Sequence, residues 1–214
     1  AGILAGGILG GLVSSTATTV SYSRRSKENP NYARTAAMVI MLASAIVFVR
    51  ILIIIGATSP HFLSTAGPPM SVVLVGLIIV SGLIWRPKES EKSSAQLHNP
   101  SQMRAALVFA SLYALILLGT AAAKDYFGTQ GLYIASIISG LTDMDAITLS
   151  ITQMVDSGSV KAPQGWRLIL IAALANIIFK TFLVGFLGSR KLLIQMLLLF
   201  AVSFAFALAV LLLW

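Results

Sequence analysis

The sequence predicts an all-α fold, a polytopic transmembrane bundle of about seven helices built from two duplicated units. Of its 214 residues, 57% are hydrophobic and only 10% are charged, which is unlike a soluble globular domain. Apolar runs of about 20 residues, long enough to cross the hydrocarbon core of a bilayer, recur along the whole chain. A polar phrase near the start of the chain also returns 129 residues later, which predicts the duplication.

Seven apolar segments follow from the hydropathy pattern and form one transmembrane domain over residues 1–214. Because the first residue already lies within an apolar run, we expect the chain to be part of a longer protein. The predicted spans are 1–23, 35–56, 70–85, 103–123, 130–155, 167–187 and 192–213.

The short loops carry most of the net charge of +8 and predict the topology. Residues 23–34 and 86–104 each contain four Lys or Arg, whereas residues 56–69 contain neither. The positive-inside rule therefore places the two basic loops and the C-terminal Trp214 in the cytoplasm. Such basic loops contact anionic lipid. Nucleic-acid binding is not expected, because the sequence indicates no basic groove beside them.

The two polar phrases are GLVSSTATTVS at 11–21 and GLTDMDAITLS at 140–150. Ungapped superposition of the chain start on residues 130–150 gives seven identities in twenty-one positions. A shift of one residue then aligns Ala43, Ala45 and Arg50 with Ala173, Ala175 and Lys180. We therefore predict one repeat at about 1–86 and a second at about 99–214, with four helices in each intact repeat. The first helix of the first repeat would then precede residue 1.

The phrases GLVSSTATTVSYSRR and GLTDMDAITLS, with the helix start at Asn99-Pro100, resemble a known bacterial family. It is the membrane domain of unknown function that commonly follows an MgtC/SapB-like domain. The resemblance implies a multi-pass protein of the bacterial inner membrane with a fused upstream domain. It implies no reaction or substrate.

Four charged residues lie deep in the predicted spans, namely Asp143, Asp145, Arg50 and Lys180. Each costs about 2.5–3.5 kcal/mol at the centre of a membrane helix, so they must face the protein interior, water or one another. Two interpretations remain open. The acids pair with Lys180 or Arg50 and lock helices together, or at least one carboxylate binds a cation or carries a proton.

The geometry of the fifth span depends on whether its helix is continuous. On a continuous helix, Asp143 and Asp145 point about 200° apart and cannot share a site. Unwinding at Gly140 would let both converge and would free backbone carbonyls as ligands. The glycines Gly10, Gly11 and Gly140 are compatible with a break or with close helix packing.

The hydroxyls of the first phrase correspond to the acids of the second. If the repeats meet at a pseudo-two-fold axis, Ser14 and Thr16 face the equivalents of the two acids, and Thr19 faces that of Thr148. Oxygen ligands favour Mg²⁺, Na⁺ or H⁺, whereas His61 and His98 are expected in solvated loops. The candidate ion-binding residues are Asp143, Asp145, Thr148, Ser14, Thr16, Thr19 and Asn176, with Lys180 and Arg50 as charge partners.

These features predict a secondary transporter or channel for a small hard cation or a proton, with its site at the repeat interface. The alternative is a structural or regulatory membrane domain whose buried charges only pair helices. An enzyme is not expected, because an aspartyl protease needs two facing carboxylates and here both acids lie on one span. No bound cofactor is expected. The expected partners are the lipid bilayer and, as in many such bundles, a second copy of the chain.

Overall fold

A computed structural model describes residues 2–83, 130–141 and 143–214, with isolated positions between them at 114, 118, 119, 122 and 128. Within these residues the protein forms seven α-helices and no strand, which confirms the predicted all-α class. The helices are α1 (Gly2–Glu28), α2 (Ala33–Thr58), α3 (Pro60–Leu83), α4 (Gln130–Leu141), α5 (Met144–Asp156), α6 (Ala162–Leu187) and α7 (Arg190–Leu213).

Four helical segments of the described chain are long and apolar enough to cross a membrane. They correspond to the second, third, sixth and seventh predicted spans, and they are compatible with a multi-pass membrane protein. The basic loop at 86–104 with His98 and the helix start at Asn99-Pro100 lie outside the described residues, and only four positions of the predicted fourth span at 103–123 are described. The four segments are Pro30–Thr58, Pro60–Gly82, Ala162–Leu187 and Arg190–Leu213.

The third span begins ten residues earlier than predicted, at Pro60 rather than residue 70. The oxygen Oγ of Ser59 accepts a hydrogen bond from the backbone N–H of Phe62 at 3.3 Å and caps this end. The helix then continues through Pro68 and Pro69, which the sequence pattern predicts to be loop residues. Membrane helices tolerate proline because neighbouring groups satisfy the freed carbonyls. His61, predicted in a loop, is an exposed residue of the first turn.

The chain divides into two compact units, and α2 forms the centre of the first. All residues from Ala36 to Met41 are buried. Small residues let α1 approach this helix, since a Cβ atom on Gly7 would lie only 2.8 Å from Cβ of Leu42. The unit comprises Ala1–Arg50, Ser71–Ala95 and Ile177–Trp214.

The second unit contains α4, α5 and the first part of α6 together with the end of α2 and the start of α3. Gly165 of α6 allows a three-way contact, because its Cβ would lie 2.6 Å from Val155 and 3.0 Å from Phe62. The hydroxyl of Ser59 also donates a hydrogen bond to the carboxylate of Asp156 at the end of α5. The unit comprises Ile51–Met70 and Gln96–Asn176.

Two predicted spans contain an interruption. The fifth span, predicted as one helix over 130–155, consists of α4 and α5, which are separate helices. At 1.5 Å per residue the 13 residues of α5 extend only about 20 Å, short of the roughly 30 Å hydrocarbon core. The first predicted span forms α1, which has non-helical backbone angles at Ser14. Each interruption contains candidate site residues of its own unit.

Candidate functional site

The break between α4 and α5 is organised by Asp143. This residue is extended, with φ −147° and ψ 119°, and its Oδ1 accepts hydrogen bonds from the backbone N–H groups of Asp145 at 2.8 Å and Ala146 at 3.3 Å. A carboxylate here satisfies donors that have no partner inside the helix, and it lies at the positive end of the helix dipole. The two acidic residues therefore share the start of α5.

The break in α1 is capped in the same way, by a side-chain hydroxyl in place of a carboxylate. Ser14 is extended, with φ −166° and ψ 111°, and its Oγ accepts from the backbone N–H of Ala17 at 3.2 Å. Ser14 and Ala17 precede Asp143 and Ala146 by 129 residues each, the spacing of the two sequence phrases. One cap is neutral and the other is an acid.

A carbonyl on the turn before each break receives a side-chain donor from the next long helix. Nη1 of Arg50 donates to the carbonyl oxygen of Gly11 at 3.0 Å, and Nδ2 of Asn176 donates to that of Gly140 at 2.8 Å. The last carbonyls of a helix lack partners within it, so these side chains satisfy groups that the breaks release. The carbonyl before the neutral cap is thus bonded by a cationic side chain, and the carbonyl before the acidic cap is bonded by an amide side chain.

The glycines before the breaks serve helix packing. A Cβ on Gly11 would lie 2.9 Å from Cα of Ala43, and a Cβ on Gly140 would overlap the carbonyl oxygen of Ala172. Of the two alternatives for Gly140, the structure favours close packing, because Gly140 remains helical and the chain leaves the helix near Asp143. Gly10 faces Thr18 of its own helix, whose Oγ1 would lie 2.5 Å from an added Cβ.

The candidate threonines bond back to their own helices. Oγ1 of Thr148 donates to the carbonyl oxygen of Met144 at 2.6 Å, and Oγ1 of Thr19 donates to that of Ser15 at 2.9 Å. This local bonding fixes the hydroxyl while leaving its oxygen lone pairs as acceptors. Both threonines are fully buried, and Thr16 is half-buried.

The candidate residues divide between the two units. The structure brings Asp143, Asp145 and Thr148 together on the first turns of α5, and Asn176 bonds to the end of α4. The first unit holds the remaining candidates. The predicted facing of the two phrases and the pairing of acids with bases stay predictions. The first-unit candidates are Ser14, Thr16, Thr19, Arg50 and Lys180.

Three buried serines were missed at the level of the sequence. Oγ of Ser44 accepts a hydrogen bond from Nζ of Lys180 at 3.1 Å. The hydroxyls of Ser136 and Ser150, seven residues before and after Asp143, are buried without a hydrogen-bond partner among the residues that the structure describes. Buried hydroxyls are normally paired, so these two are additional candidates to line the break. Ser44 and Ser136 lie in mostly apolar runs, which is a weak sequence signal, whereas Ser150 ends the second polar phrase.

We expect Asn176→Leu to lower the free energy of unfolding by about 1–3 kcal/mol, because the carbonyl of Gly140 loses its donor and stays buried. The thermal midpoint in detergent measures this change. Gln153→Leu, at an exposed position of α5, is the control and should change stability little. Equal effects of the two substitutions on the thermal midpoint would contradict a stabilising role for the hydrogen bond from Asn176 to Gly140.

Comparisons with known proteins place these features in a family. The family model described as a domain of unknown function (DUF4010) matches residues 1–188, which include both interrupted helices. An uncharacterized protein of Aquifex aeolicus (strain VF5) is 29% identical over 188 residues, covering 86% of this chain and 82% of that relative. No solved structure matches the chain.

Proposed function

We propose a transport function for this chain, which belongs to the DUF4010 family of domains of unknown function. The transported species is a small hard cation or a proton, and its site is the break between α4 and α5. The observation that carries the proposal is the extended, carboxylate-capped backbone at Asp143, between α4 and a helix, α5, whose 13 residues are too few to span a bilayer. Such backbone is tolerated at membrane depth only inside protein or beside water, and broken helices build ion sites in transporters.

The ligand chemistry at this break favours a cation. The backbone N–H groups of Asp145 and Ala146 hold the carboxylate of Asp143 in position at the start of α5. The hydroxyl of Thr148 adds a third oxygen on the next turn. Carboxylate and hydroxyl oxygens suit Na⁺, Mg²⁺ or a proton better than soft metals.

The matched caps at Ser14 and Asp143 also support a duplication, with repeats at about 1–86 and 99–214. In this proposal the protein resides in the bacterial inner membrane, and the basic loops alone predict a cytoplasmic C-terminus. An upstream MgtC/SapB-like domain and a homodimeric assembly complete the proposed organisation. The transport site does not depend on either of them.

A structural role is the second candidate, and the packing around the breaks favours it. The carbonyls of Gly11 and Gly140 already have side-chain donors, and both glycines are in tight contact with the next helix. A domain that only joins helices needs these features and no ion.

Ion flux into liposomes that contain the purified full chain separates the two roles. We expect Asp143→Asn and Asp145→Asn each to reduce Na⁺, Mg²⁺ or H⁺ flux by about tenfold or more, equivalent to about 1.4 kcal/mol, because each removes one of the two carboxylates. Entrapped fluorescent indicators report each ion. Asp156→Asn, an exposed acid at the far end of α5, is the matched control and should retain flux. Wild-type flux in both folded test variants would exclude the transport site and leave the structural role.

A further inference from the structure

The two halves of α1 lie side by side. A Cβ atom on Gly10 would lie 2.5 Å from Oγ1 of Thr18, and a Cβ atom on Gly6 would lie 2.6 Å from Oη of Tyr22. On a straight helix these partners would be about 12 Å and about 24 Å apart along the axis, beyond the reach of their side chains. Both pairs are centred on Ser14, the residue with non-helical backbone angles. The chain therefore reverses its direction at Ser14, and α1 is a helical hairpin.

The hairpin enters the membrane only to about half its depth. Its second arm ends in the basic loop at 23–34, which the positive-inside rule places at the cytoplasmic surface. Ten residues separate Ser14 from Arg24, the first well-charged position of this end, and they extend about 15 Å, half of the roughly 30 Å hydrocarbon core. Because Gly6 lies opposite Tyr22, the first arm leads back to the same surface. The turn at Ser14 is therefore the tip of a re-entrant segment.

A hydrogen bond in the first unit places the turn between α6 and α7 on the same side as the basic loop. The backbone N–H of Ser189 donates to Oγ of Ser26 at 3.1 Å. Arg190 and Lys191 follow directly, and their charge agrees with a cytoplasmic position. Since α7 is long enough to cross the membrane, its last residues up to Trp214 reach the external side.

In the second unit, α5 ends at the external surface. The hydroxyl of Ser59, between α2 and α3, donates a hydrogen bond to the carboxylate of Asp156, the last residue of α5. A Cβ atom on Gly165, near the start of α6, would lie 3.0 Å from the ring of Phe62. The loop at 56–69 contains no Lys or Arg, so the positive-inside rule places these helix ends outside.

We propose that the chain consists of two inverted repeats, each with one re-entrant hairpin and three crossing helices. In the first repeat the hairpin is α1, and the crossing helices are α2, α3 and the helix expected before residue 1. In the second repeat the predicted span at 103–123 leads from the basic loop at 86–104 to the external side, and α5 also ends there. The segment formed by α4 and α5 must therefore turn back at Asp143. Three crossings reverse the direction of the chain, so the second hairpin enters from outside.

This path changes two expectations. It places Trp214 outside, which replaces the cytoplasmic position that the loop charges alone predict. It also gives the two breaks opposite access, with Ser14 at the tip of a cytoplasmic hairpin and Asp143 at the tip of an external one. Inverted repeats of this kind supply matched pathways to a mid-membrane site, and their exchange is the basis of alternating access. The path of the chain does not depend on whether ions cross, so this inference and the proposed transport fail separately.

Disulfide formation tests the hairpin, because the chain has no cysteine of its own. Gly10→Cys combined with Thr18→Cys places two Cβ atoms 3.4 Å apart, close to the spacing of about 3.5–4.5 Å in disulfides. We expect copper-catalysed oxidation in membranes to remove both free thiols of this pair without forming dimers, as measured by maleimide labelling after denaturation. Thr18→Cys with Ser26→Cys is the control, since the same separation within one arm keeps the thiols about 12 Å apart. No thiol loss in the first pair, or equal loss in both pairs, would overturn the hairpin.

Labelling of single-cysteine variants of the full chain with a membrane-impermeant maleimide tests the inversion. Asn31→Cys and Ala57→Cys, at exposed positions of the basic and the uncharged loop, define the cytoplasmic and the external side. We expect Ser157→Cys and Trp214→Cys to react from the side of Ala57→Cys, and Lys191→Cys to react from the side of Asn31→Cys. All these positions are exposed. Reaction of Ser157→Cys or Trp214→Cys from the side of Asn31→Cys would overturn the inverted repeats, whatever the ion flux of the Asp143 variants.

Discussion

Gly140→Ala is expected to disrupt the packing of α4 against α6. The added Cβ would overlap the carbonyl oxygen of Ala172, a backbone atom inside a continuous helix, so the contact cannot relax by a side-chain rotation. Separating the helices would also strain the hydrogen bond from Asn176 to the carbonyl of Gly140. Overpacking of this kind costs about 1–3 kcal/mol.

The thermal midpoint of three glycine variants measures the effect. Gly11→Ala should be destabilising as well, since its Cβ would lie 2.9 Å from Cα of Ala43. Gly82→Ala is the control, because no atom lies within 4 Å of an added Cβ there. We expect Gly140→Ala to be the least stable and Gly82→Ala to resemble the wild type. Equal midpoints for Gly140→Ala and Gly82→Ala would refute the packing role.

Asp143→Ser is expected to stop cation flux while preserving the fold. Serine performs the same capping role at Ser14, so the start of α5 should keep its hydrogen-bond acceptor and lose only the charge. Asp143→Ala removes the acceptor too, and loss of a cap costs about 0.5–2 kcal/mol. Both variants should therefore lose transport, but only the alanine variant should lose stability.

Flux and thermal midpoint measured on the same preparations separate the two properties of Asp143. Full flux in Asp143→Ser would show that the carboxylate charge is dispensable. An alanine variant as stable as the serine variant would show that the bonds to Asp145 and Ala146 contribute little. Either result would require a different role for the break.

Hydropathy predicted most helices because the membrane thickness sets their length. The span predicted at 35–56 differs from α2 by two residues at each end, and the span predicted at 192–213 differs from α7 by two residues at its start only. The hydropathy pattern gave the wrong start for α3, because Pro68 and Pro69 resemble the end of a loop but lie within the helix. Local preferences cannot reveal that neighbouring groups satisfy the carbonyls that proline releases.

The repeated phrase indicated the candidate site, but the sequence did not decide how each residue is used. It identified Gly140 and Asp143 as special and left the position of a break open. The structure assigns packing to the glycine and capping to the acid. An acid followed two residues later by another acid is a helix-start signal that would have favoured Asp143. The bond between Lys180 and Ser44 joins residues 136 apart in sequence, so no local pattern predicts it.

The short length of α5 has a consequence for how the protein enters the membrane during synthesis. Its 13 residues are too few to be recognised as a span, and each of the two acids at its start opposes insertion by about 2.5–3.5 kcal/mol. The strongly apolar α6 begins only a few residues after α5 ends. We therefore expect the interrupted segment to be retained in the bilayer only after α6 has emerged from the ribosome, so that this part of the chain inserts as a pair rather than helix by helix.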